Sequence, residues 1–299
     1  YYCHMLIDGK AIADQILAKL SKDVFVLKAR NITPTLAVIL VGDDPASLAY
    51  IKQKQKAADF IGARVVFSHL SSDIIKRDLQ QIITQYNNDP NIHGFIIQRP
   101  VPDNFSHILI YEKMNINKDV DGFLPNSPFS VPVAIAVEEI LQNAKCQTRL
   151  PDGQVLNAKC VVIGRGETAG KPIADHLMKL GFTPTIIHSQ TPNPEQIIKS
   201  ADIIISCVGK EKVITSENIT QGVILISVGI WRDELGKLHG DYDETDIESK
   251  ASYYTPTPKG IGPVNVACLM QNLIKACMIY ACPPSHKASA GLRFATPKQ

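Results

Sequence analysis

A lysine on the apolar face of a helix is the first feature of this sequence that could do chemistry. Asp44 and Pro45 predict a helix start, because an Asp side chain caps free N–H groups and proline suits the first helical position. In the helix that follows, Lys54 points the same way as apolar side chains, whereas Lys52 and Lys56 point toward solvent. The residues that share its face are Tyr50, Lys54, Ala57 and Ile61.

The role of Lys54 depends on what the rest of the chain places beside it. An inward lysine either extends its ammonium along the helix into water or holds an amine in a cleft, where it exchanges protons near neutral pH. Gln98 ends an apolar run that begins at Ile92, and Thr35–Val41 is a second such run. Strands of this kind, alternating with helices, predict a parallel α/β sheet. Ligands bind at the carboxyl ends of such strands, so we expect Tyr50, Lys54 and Gln98 to meet there.

A glycine-rich turn in the second half of the chain predicts a dinucleotide site. A strand leads into Gly164, Gly166 and Gly170, and a helix follows, so that bare backbone lets a phosphate approach the helix N-terminus. The next strand ends near Ser189, where NAD-binding sheets have an acidic residue. With Arg165 in the turn, this composition favours the extra phosphate of NADP over NAD, although a solvated arginine and serine would give the same pattern.

Two further segments each have a structural and a functional interpretation. Asp121 precedes Gly122 in a turn signal, and its carboxylate could serve the turn or a ligand. The stiff stretch of prolines and glycines from Thr255 to Pro263 could be a connector or the wall of a site. A long apolar helix is predicted after it.

Composition limits the class of protein. The 299 residues suit two domains, and 45% hydrophobic residues indicate a globular protein with a core. A net charge of +2 gives no electrostatic case for nucleic acid or an anionic membrane. The odd number of cysteines without a CxxC pair favours a reducing compartment, and no His/Cys cluster has metal-ligand spacing. No apolar run reaches the roughly 20 residues of a membrane span, so we expect a cytoplasmic protein.

These segments, in this order, resemble the bifunctional methylenetetrahydrofolate dehydrogenase/methenyltetrahydrofolate cyclohydrolase family, the FolD type. The resemblance spans residues 5–282. Its longest segments are VGDDPASLAYIKQKQKAADFIG, GFIIQRPVP, KDVDGF, GRGETAGKP and TPTPKGIGPVNVACLM.

The resemblance implies a two-domain α/β fold and a homodimer that forms through the cofactor domain. A three-layer α/β catalytic domain is expected over residues 5–131, and a Rossmann-type NADP-binding domain over residues 132–263, with the active cleft between them. The helix over residues 264–282 is expected to pack back on the catalytic domain, and residues 283–299 are expected to form a mobile tail.

The resemblance also implies a reaction and its residues. The family oxidises 5,10-methylenetetrahydrofolate with NADP+ to 5,10-methenyltetrahydrofolate and hydrolyses that cation to 10-formyltetrahydrofolate. Lys54 corresponds to the essential lysine, with Tyr50 and Gln98 beside it, and Asp121 corresponds to the aspartate that holds the pterin ring. Residues that correspond to cofactor contacts are Gly164, Arg165, Gly166, Ser189 and Ile230. Residues that correspond to the loop lining the folate pocket are Gly260, Gly262 and Pro263.

The chain departs from the family pattern at several positions. Gly166 replaces a usual serine, and Ser227 replaces a usual aspartate. Arg99 and Lys259 replace leucine and glycine and add positive charge near the folate site, which favours a polyglutamate tail on the substrate. The segment after Phe123 is shorter than in the family, which puts its contacts with folate or between the domains in doubt.

Two other functions therefore stay open. The shortened segment leaves room for a dehydrogenase that has lost efficient cyclohydrolase activity. A non-catalytic dinucleotide-binding module is a third possibility, and a generic Rossmann dehydrogenase would not explain the first sheet. The residues that argue against a binding module are Tyr50, Lys54, Gln98 and Asp121, because such a module has no need of an inward lysine.

Overall fold

The structure, a computed structural model, describes residues 5–102, 105, 113–144 and 158–281. The tail predicted over residues 283–299 lies outside the described residues. Contacts between Cα atoms divide the chain into two compact units. The first unit comprises Leu20–Val120 and the chain from Met270 onward, and the second comprises the chain up to Lys19 and Asp121–Leu269. The domain limits expected near residues 131 and 263 remain a prediction.

The first unit contains a three-stranded parallel sheet in the order β3-β2-β4. The described elements as far as its last strand are β1 (Met5–Leu6), α1 (Gly9–Lys28), β2 (Thr35–Val41), α2 (Pro45–Ile61), β3 (Arg64–Leu70), α3 (Lys76–Asn88) and β4 (Gly94–Ile97), followed by a 3-10 turn (Ile116–Lys118). All seven residues of β2 are buried. A central parallel strand is covered on both faces, which explains its continuous apolar sequence and confirms the predicted strand.

Helix α2 begins and ends through local chemistry. The Asp44 carboxylate accepts a hydrogen bond of 2.7 Å from the backbone N–H of Ser47, and Pro45 occupies the first turn. Gly62 ends the helix with a φ of 79°, in the left-handed region where glycine has no steric penalty. The helix start predicted from Asp44 and Pro45 is thus confirmed.

The second unit contains a six-stranded sheet in the order β1-β11-β8-β7-β5-β6, whose paired strands all run parallel. The elements that follow in the chain are α4 (Pro132–Asn143), β5 (Cys160–Ile163), α5 (Gly170–Lys179), β6 (Thr185–Ile187), α6 (Pro194–Lys199), β7 (Ile203–Ser206), β8 (Ile224–Ser227), β9 (Trp231–Arg232), β10 (Leu238–His239), α7 (Glu244–Ile247), β11 (Tyr253–Tyr254) and α8 (Ile261–Ala281). The part of α8 from Met270 belongs to the first unit. The chain passes from β5 to β6 on one side and then to β7 on the other. This reversal of strand order is the point at which α/β sheets bind ligands.

The edge of the six-stranded sheet contains an unexpected strand. Met5 pairs with Tyr253 and Leu6 with Tyr254, so the first described residues extend this sheet. The sequence did not indicate β1, because two residues are too few to show a period. Helix α1 follows at Gly9, with the Asp8 carboxylate accepting a 3.0 Å hydrogen bond from the N–H of Ala11. Within the described residues, no helix is long and apolar enough to cross a membrane.

Candidate functional site

The inward lysine of α2 is buried against the end of β4. Lys54 is 6% exposed, and its Nζ donates a 2.6 Å hydrogen bond to Oε1 of Gln98. The ammonium also lies 5.0 Å from the ring centroid of Tyr50, within the range of a cation–π contact. This burial excludes the interpretation in which the ammonium extends into water. As predicted, Tyr50, Lys54 and Gln98 come together at the carboxyl end of β4.

The orientation of the Gln98 side chain is determined by its neighbours. The backbone N–H of Gln98 donates to the carbonyl of Ile39 at 2.8 Å, which continues the pairing of β2 with β4 beyond the strand. Its amide NH2 donates to the carbonyl of Arg99 at 2.9 Å, and the hydroxyl of Ser47 donates to the same carbonyl at 3.2 Å. The amide oxygen is therefore left for Lys54. An amine held in this way can take up and return protons at one defined place.

The KDVDGF segment is anchored in the first unit just before Asp121. Lys118 donates from Nζ to the carbonyls of Tyr86 and Asp89 at 2.8 and 2.7 Å, and burial lowers the pKa of this ammonium. Val120 packs on Gly94, where a Cβ atom would lie 2.3 Å from the Val120 side chain. These contacts fix the backbone that leads into Asp121.

Asp121 itself belongs to the second unit and is half-buried. The next residue, Gly122, has a φ of 72°, and a Cβ atom there would lie 2.7 Å from the carbonyl oxygen of Phe129. The shortened segment after Phe123 therefore folds back onto the turn that contains Asp121. The role of Asp121 in holding a pterin remains a prediction.

The glycine turn lies at the end of β5, where the strand order reverses. Gly164 has a φ of 105°, and its N–H donates to the carbonyl of Ile187 at the end of β6 at 2.8 Å. A Cβ atom at Gly164 would lie 3.0 Å from the carbonyl oxygen of Cys207, which follows β7. Arg165 and Gly166 are exposed in the turn. Because α5 begins at Gly170, its N-terminus lies at the same carboxyl ends of the strands. A bound phosphate would require this arrangement.

The end of β6 presents a hydroxyl to solvent and no carboxylate. His188 is engaged in its own turn: its N–H donates to Oγ1 of Thr191 at 3.0 Å, and its Nδ1 accepts from the N–H of Gln190 at 3.2 Å. Ser189 stays exposed between them. Ser189 and Arg165 thus follow neighbouring parallel strands at one edge of the sheet, as the sequence predicted, and both fit an anionic group better than a free ribose diol.

The loops after β7 and β8 contact each other at the same edge. Gly209 has a φ of 70°, and a Cβ atom there would lie 3.0 Å from the carbonyl oxygen of Ile230, whose side chain is 54% exposed. Cys207 lies at the start of the first loop. Burial and the nearby carboxylate of Asp241 raise the pKa of the Cys207 thiol well above its usual range. This thiol stays protonated and is no nucleophile.

Sequence reasoning missed Asp241, the buried carboxylate that holds these loops. It is 0% exposed, and it accepts hydrogen bonds from the hydroxyl of Ser206 and from the N–H groups of Val208 and Lys210. The segment HGDYDE around it reads as a polar turn. Its donors lie more than thirty residues earlier in the chain, so no local pattern could have indicated this arrangement.

The loop from Thr255 to Pro263 is held in place by close backbone contacts. A Cβ atom at Gly260 would lie 2.4 Å from the carbonyl oxygen of Pro256, and one at Gly9 would lie 1.9 Å from the carbonyl oxygen of Gly260. The N–H of Thr257 donates to the Glu244 carboxylate at 2.8 Å. Gly260 is buried, whereas Gly262 and Pro263 are half-buried, so the loop can offer backbone and ring surface to a ligand.

Comparisons with known proteins identify the family to which both parts of the chain are similar. Residues 7–121 match the family described as the catalytic domain of tetrahydrofolate dehydrogenase/cyclohydrolase, and residues 134–281 match its NAD(P)-binding domain. The bifunctional protein FolD of Bacillus licheniformis is 38% identical over 280 residues, which cover 91% of this chain and 96% of that protein.

Two solved structures have the same fold. The bifunctional FolD methylenetetrahydrofolate dehydrogenase/cyclohydrolase from Campylobacter jejuni has a TM-score of 0.86 and 34% identity, over 92% of this chain and 98% of that one. The Trypanosoma brucei enzyme, solved with NADP cofactor and an inhibitor, has a TM-score of 0.85 and 28% identity, over 92% and 97% of the two chains. With two α/β units, one matching the catalytic domain and the other largely matching the NAD(P)-binding domain, the chain belongs to the tetrahydrofolate dehydrogenase/cyclohydrolase family.

Proposed function

We propose that this protein oxidises 5,10-methylenetetrahydrofolate to 5,10-methenyltetrahydrofolate with NADP+ and then hydrolyses the methenyl compound to 10-formyltetrahydrofolate. This proposal rests mainly on the buried Lys54 ammonium, which Gln98 holds beside Tyr50. A non-catalytic binding module would have no need of an inward lysine at the carboxyl end of a strand, where α/β sheets bind their ligands.

NADP+ fits the residues of the second unit. The bare backbone of Gly164 and Gly166 and the N-terminus of α5 suit the pyrophosphate, and Arg165 and Ser189 suit the 2′-phosphate. When bound, the nicotinamide supplies the acceptor for the hydride. Hydride transfer needs no protein acid at the reacting carbon, so the residues contribute by binding and orienting the two rings.

Hydrolysis requires a group that moves protons. Water adds to the methenyl carbon and loses a proton, and the bond from that carbon to N5 then breaks as N5 takes up a proton. Lys54 accepts the first proton as an amine and returns one as an ammonium, while Gln98 holds it in place. The remaining proton leaves to solvent. Tyr50 can stack on the folate and hydrogen-bond through its hydroxyl.

Asp121 and the loop with Gly260, Gly262 and Pro263 complete the substrate site in this proposal. The pterin edge presents adjacent N–H donors, and a carboxylate accepts two of them at once. A rigid loop contributes binding free energy without an ordering cost. Arg99 and Lys259 would add positive charge for a polyglutamate tail.

We further propose that the protein works as a cytoplasmic homodimer. The described cysteines Cys160, Cys207, Cys268 and Cys277 are all free thiols, which supports a reducing compartment. Light scattering on the purified protein would measure its mass in solution. A particle of twice the chain mass is expected, and a monomer at micromolar concentration would overturn the dimer.

The test follows absorbance of purified protein with methylenetetrahydrofolate and NADP+. Wild type should form NADPH without accumulating the methenyl compound. Lys54→Met should lose roughly 10²–10⁴-fold in hydrolysis, the usual contribution of a positioned proton-transfer group. Lys52→Met is the matched control, because Lys52 lies exposed on the same helix.

Each other outcome has a distinct meaning. If the wild type accumulates the methenyl compound, the protein is a dehydrogenase alone, and the shortened segment after Phe123 becomes the cause to examine. If no reduced cofactor forms with NADP+ or NAD+, the catalytic proposal fails and a dinucleotide-binding role replaces it.

A further inference from the structure

We infer that Asp241 is a positioning residue for the dinucleotide pocket, whose carboxylate fixes the two loops that follow β7 and β8. This inference rests on the proposed function for the identity of the ligand. Asp241 does not itself need to touch the cofactor, because its side chain is fully buried.

The carboxylate of Asp241 binds the loop after β7 at three points. Its Oδ2 accepts from the hydroxyl of Ser206 at 2.5 Å and from the N–H of Val208 at 3.0 Å, and its Oδ1 accepts from the N–H of Lys210 at 2.9 Å. Hydrogen bonds to an ionised acceptor are about twice as strong as neutral ones. The carboxylate therefore sets the backbone path from Ser206 to Lys210.

Asp241 also contacts the loop after β8. A Cβ atom at Gly229 would lie 2.4 Å from a carboxylate oxygen of Asp241 and 2.3 Å from the backbone nitrogen of Gly209, so only glycine fits. The hydroxyl of Ser227 donates to the carbonyl of Gly229 at 3.1 Å and accepts from the N–H of Asp241 at 2.9 Å. Asp241 and Ser227 together thus join both loops.

These loops lie where the sheet binds its ligand. Strands β5 and β7 are neighbours, and the strand order reverses at β5. The carbonyl of Cys207 contacts the phosphate turn at Gly164, and Ile230 follows Gly229 directly. A shift in the loop from Ser206 to Lys210 would therefore displace both the phosphate turn and the position of Ile230.

Asp241→Asn is the informative change, because it keeps the shape and removes the charge. An asparagine has one acceptor oxygen and one NH2 group, so either orientation directs an NH2 toward at least one backbone N–H. Asp246→Asn is the matched control: Asp246 also accepts from a serine hydroxyl and a backbone N–H, both of Ser216, but it is exposed.

The experiment measures NADP+ binding through the fluorescence of Trp231, the single tryptophan of the chain. Asp241→Asn should raise the Kd for NADP+ about tenfold, a change of about 1.4 kcal/mol, while KM for the folate changes less than twofold. Hydrogen exchange of the Val208 and Lys210 amides should become faster. Asp246→Asn should leave Kd and this exchange unchanged.

The outcomes separate this inference from the proposed function. Wild type that fails to bind NADP+ would refute the function itself. An unchanged Kd in folded Asp241→Asn, or equal losses for both substrates, would overturn the positioning role. If Asp241→Asn does not fold, Ser206→Ala replaces it as the test, because this change removes one hydrogen-bond donor only. A two- to threefold rise in the Kd for NADP+ would support the positioning role, and an unchanged Kd would overturn it.

Discussion

A Cβ atom at Gly170 would lie 2.0 Å from the carbonyl oxygen of Gly164. The first residue of α5 thus packs directly on the residue that follows β5, and this contact keeps the helix N-terminus close to the glycine turn. Gly166, between them, differs: a Cβ atom there would have no heavy atom within 4 Å. Gly170 therefore has no room for a side chain, whereas the position of Gly166 would accept one.

This difference predicts that substitutions at the two glycines have different effects on stability. Gly170→Ala should lower the free energy of unfolding by about 3 kcal/mol, because backbone atoms would have to move. Gly166→Ser should leave stability unchanged and lower KM for NADP+, since its hydroxyl adds a donor to the phosphate turn. Urea unfolding and initial rates measure the two effects. A destabilised Gly166→Ser would contradict the open space at this position.

The hydrogen bond from Lys54 to Gln98 predicts a pH effect on hydrolysis. Gln98→Glu replaces a neutral acceptor with a carboxylate, which stabilises the ammonium and delays its loss of a proton to higher pH. Hydrolysis near neutral pH should fall about tenfold, and the pH at which it rises should increase by roughly one to two units. Gln53→Glu adds the same charge on the exposed face of α2 and should not move the profile.

His93 predicts a loss of stability in acid. Burial, with the Lys118 ammonium nearby, lowers the pKa of His93 below its ordinary value of 6.5, although Asp89 opposes the shift. As the pH falls below that value, the unfolded chain binds the proton first, so the free energy of unfolding decreases until the pH passes the folded pKa.

The substitution His93→Asn isolates this effect. Nδ1 of His93 accepts from the N–H of Thr35 at 3.2 Å, and an asparagine oxygen can replace that acceptor without titrating. Urea unfolding at pH 8 and pH 5 should show a smaller acid loss in the variant than in the wild type. Equal losses in both proteins would exclude His93 as a contributor.

Lys259 predicts an effect on substrate tails. It has a φ of 82°, in the region that favours glycine, so Lys259→Gly removes the charge and also relieves strain of about 1 kcal/mol. The variant should be at least as stable as the wild type and should lose part of any preference for polyglutamyl over monoglutamyl folate. Arg99→Leu should also reduce this preference for polyglutamyl folate.

Lys212→Gly provides the control for Lys259→Gly. Lys212 is also exposed and has a positive φ of 53°, but it lies in the loop between β7 and β8. The substitution Lys212→Gly should leave the ratio of affinities for polyglutamyl and monoglutamyl folate unchanged. A ratio that stays constant in Lys259→Gly and Arg99→Leu would show that neither charge contacts the tail.

The sequence by itself determined the features that arise from neighbours along the chain. The cap at Asp44 and the helical period placed Lys54 on the inner face of α2, and the glycine turn placed a bare backbone after β5. Capping, period and turn chemistry act over a few residues, so they leave a readable pattern. The parallel sheets were predicted for the same reason, from apolar runs separated by helices.

Only the tertiary structure decided which distant groups meet. Gln98 lies 44 residues from Lys54, and Ser206 lies 35 residues from Asp241. The two-residue strands β1 and β11 have no period of their own and form by pairing within the six-stranded sheet, β11 on β8 and β1 on β11. Such pairings depend on packing between remote segments, which leaves no local trace in the sequence, and this is why Asp241 emerged only from the structure.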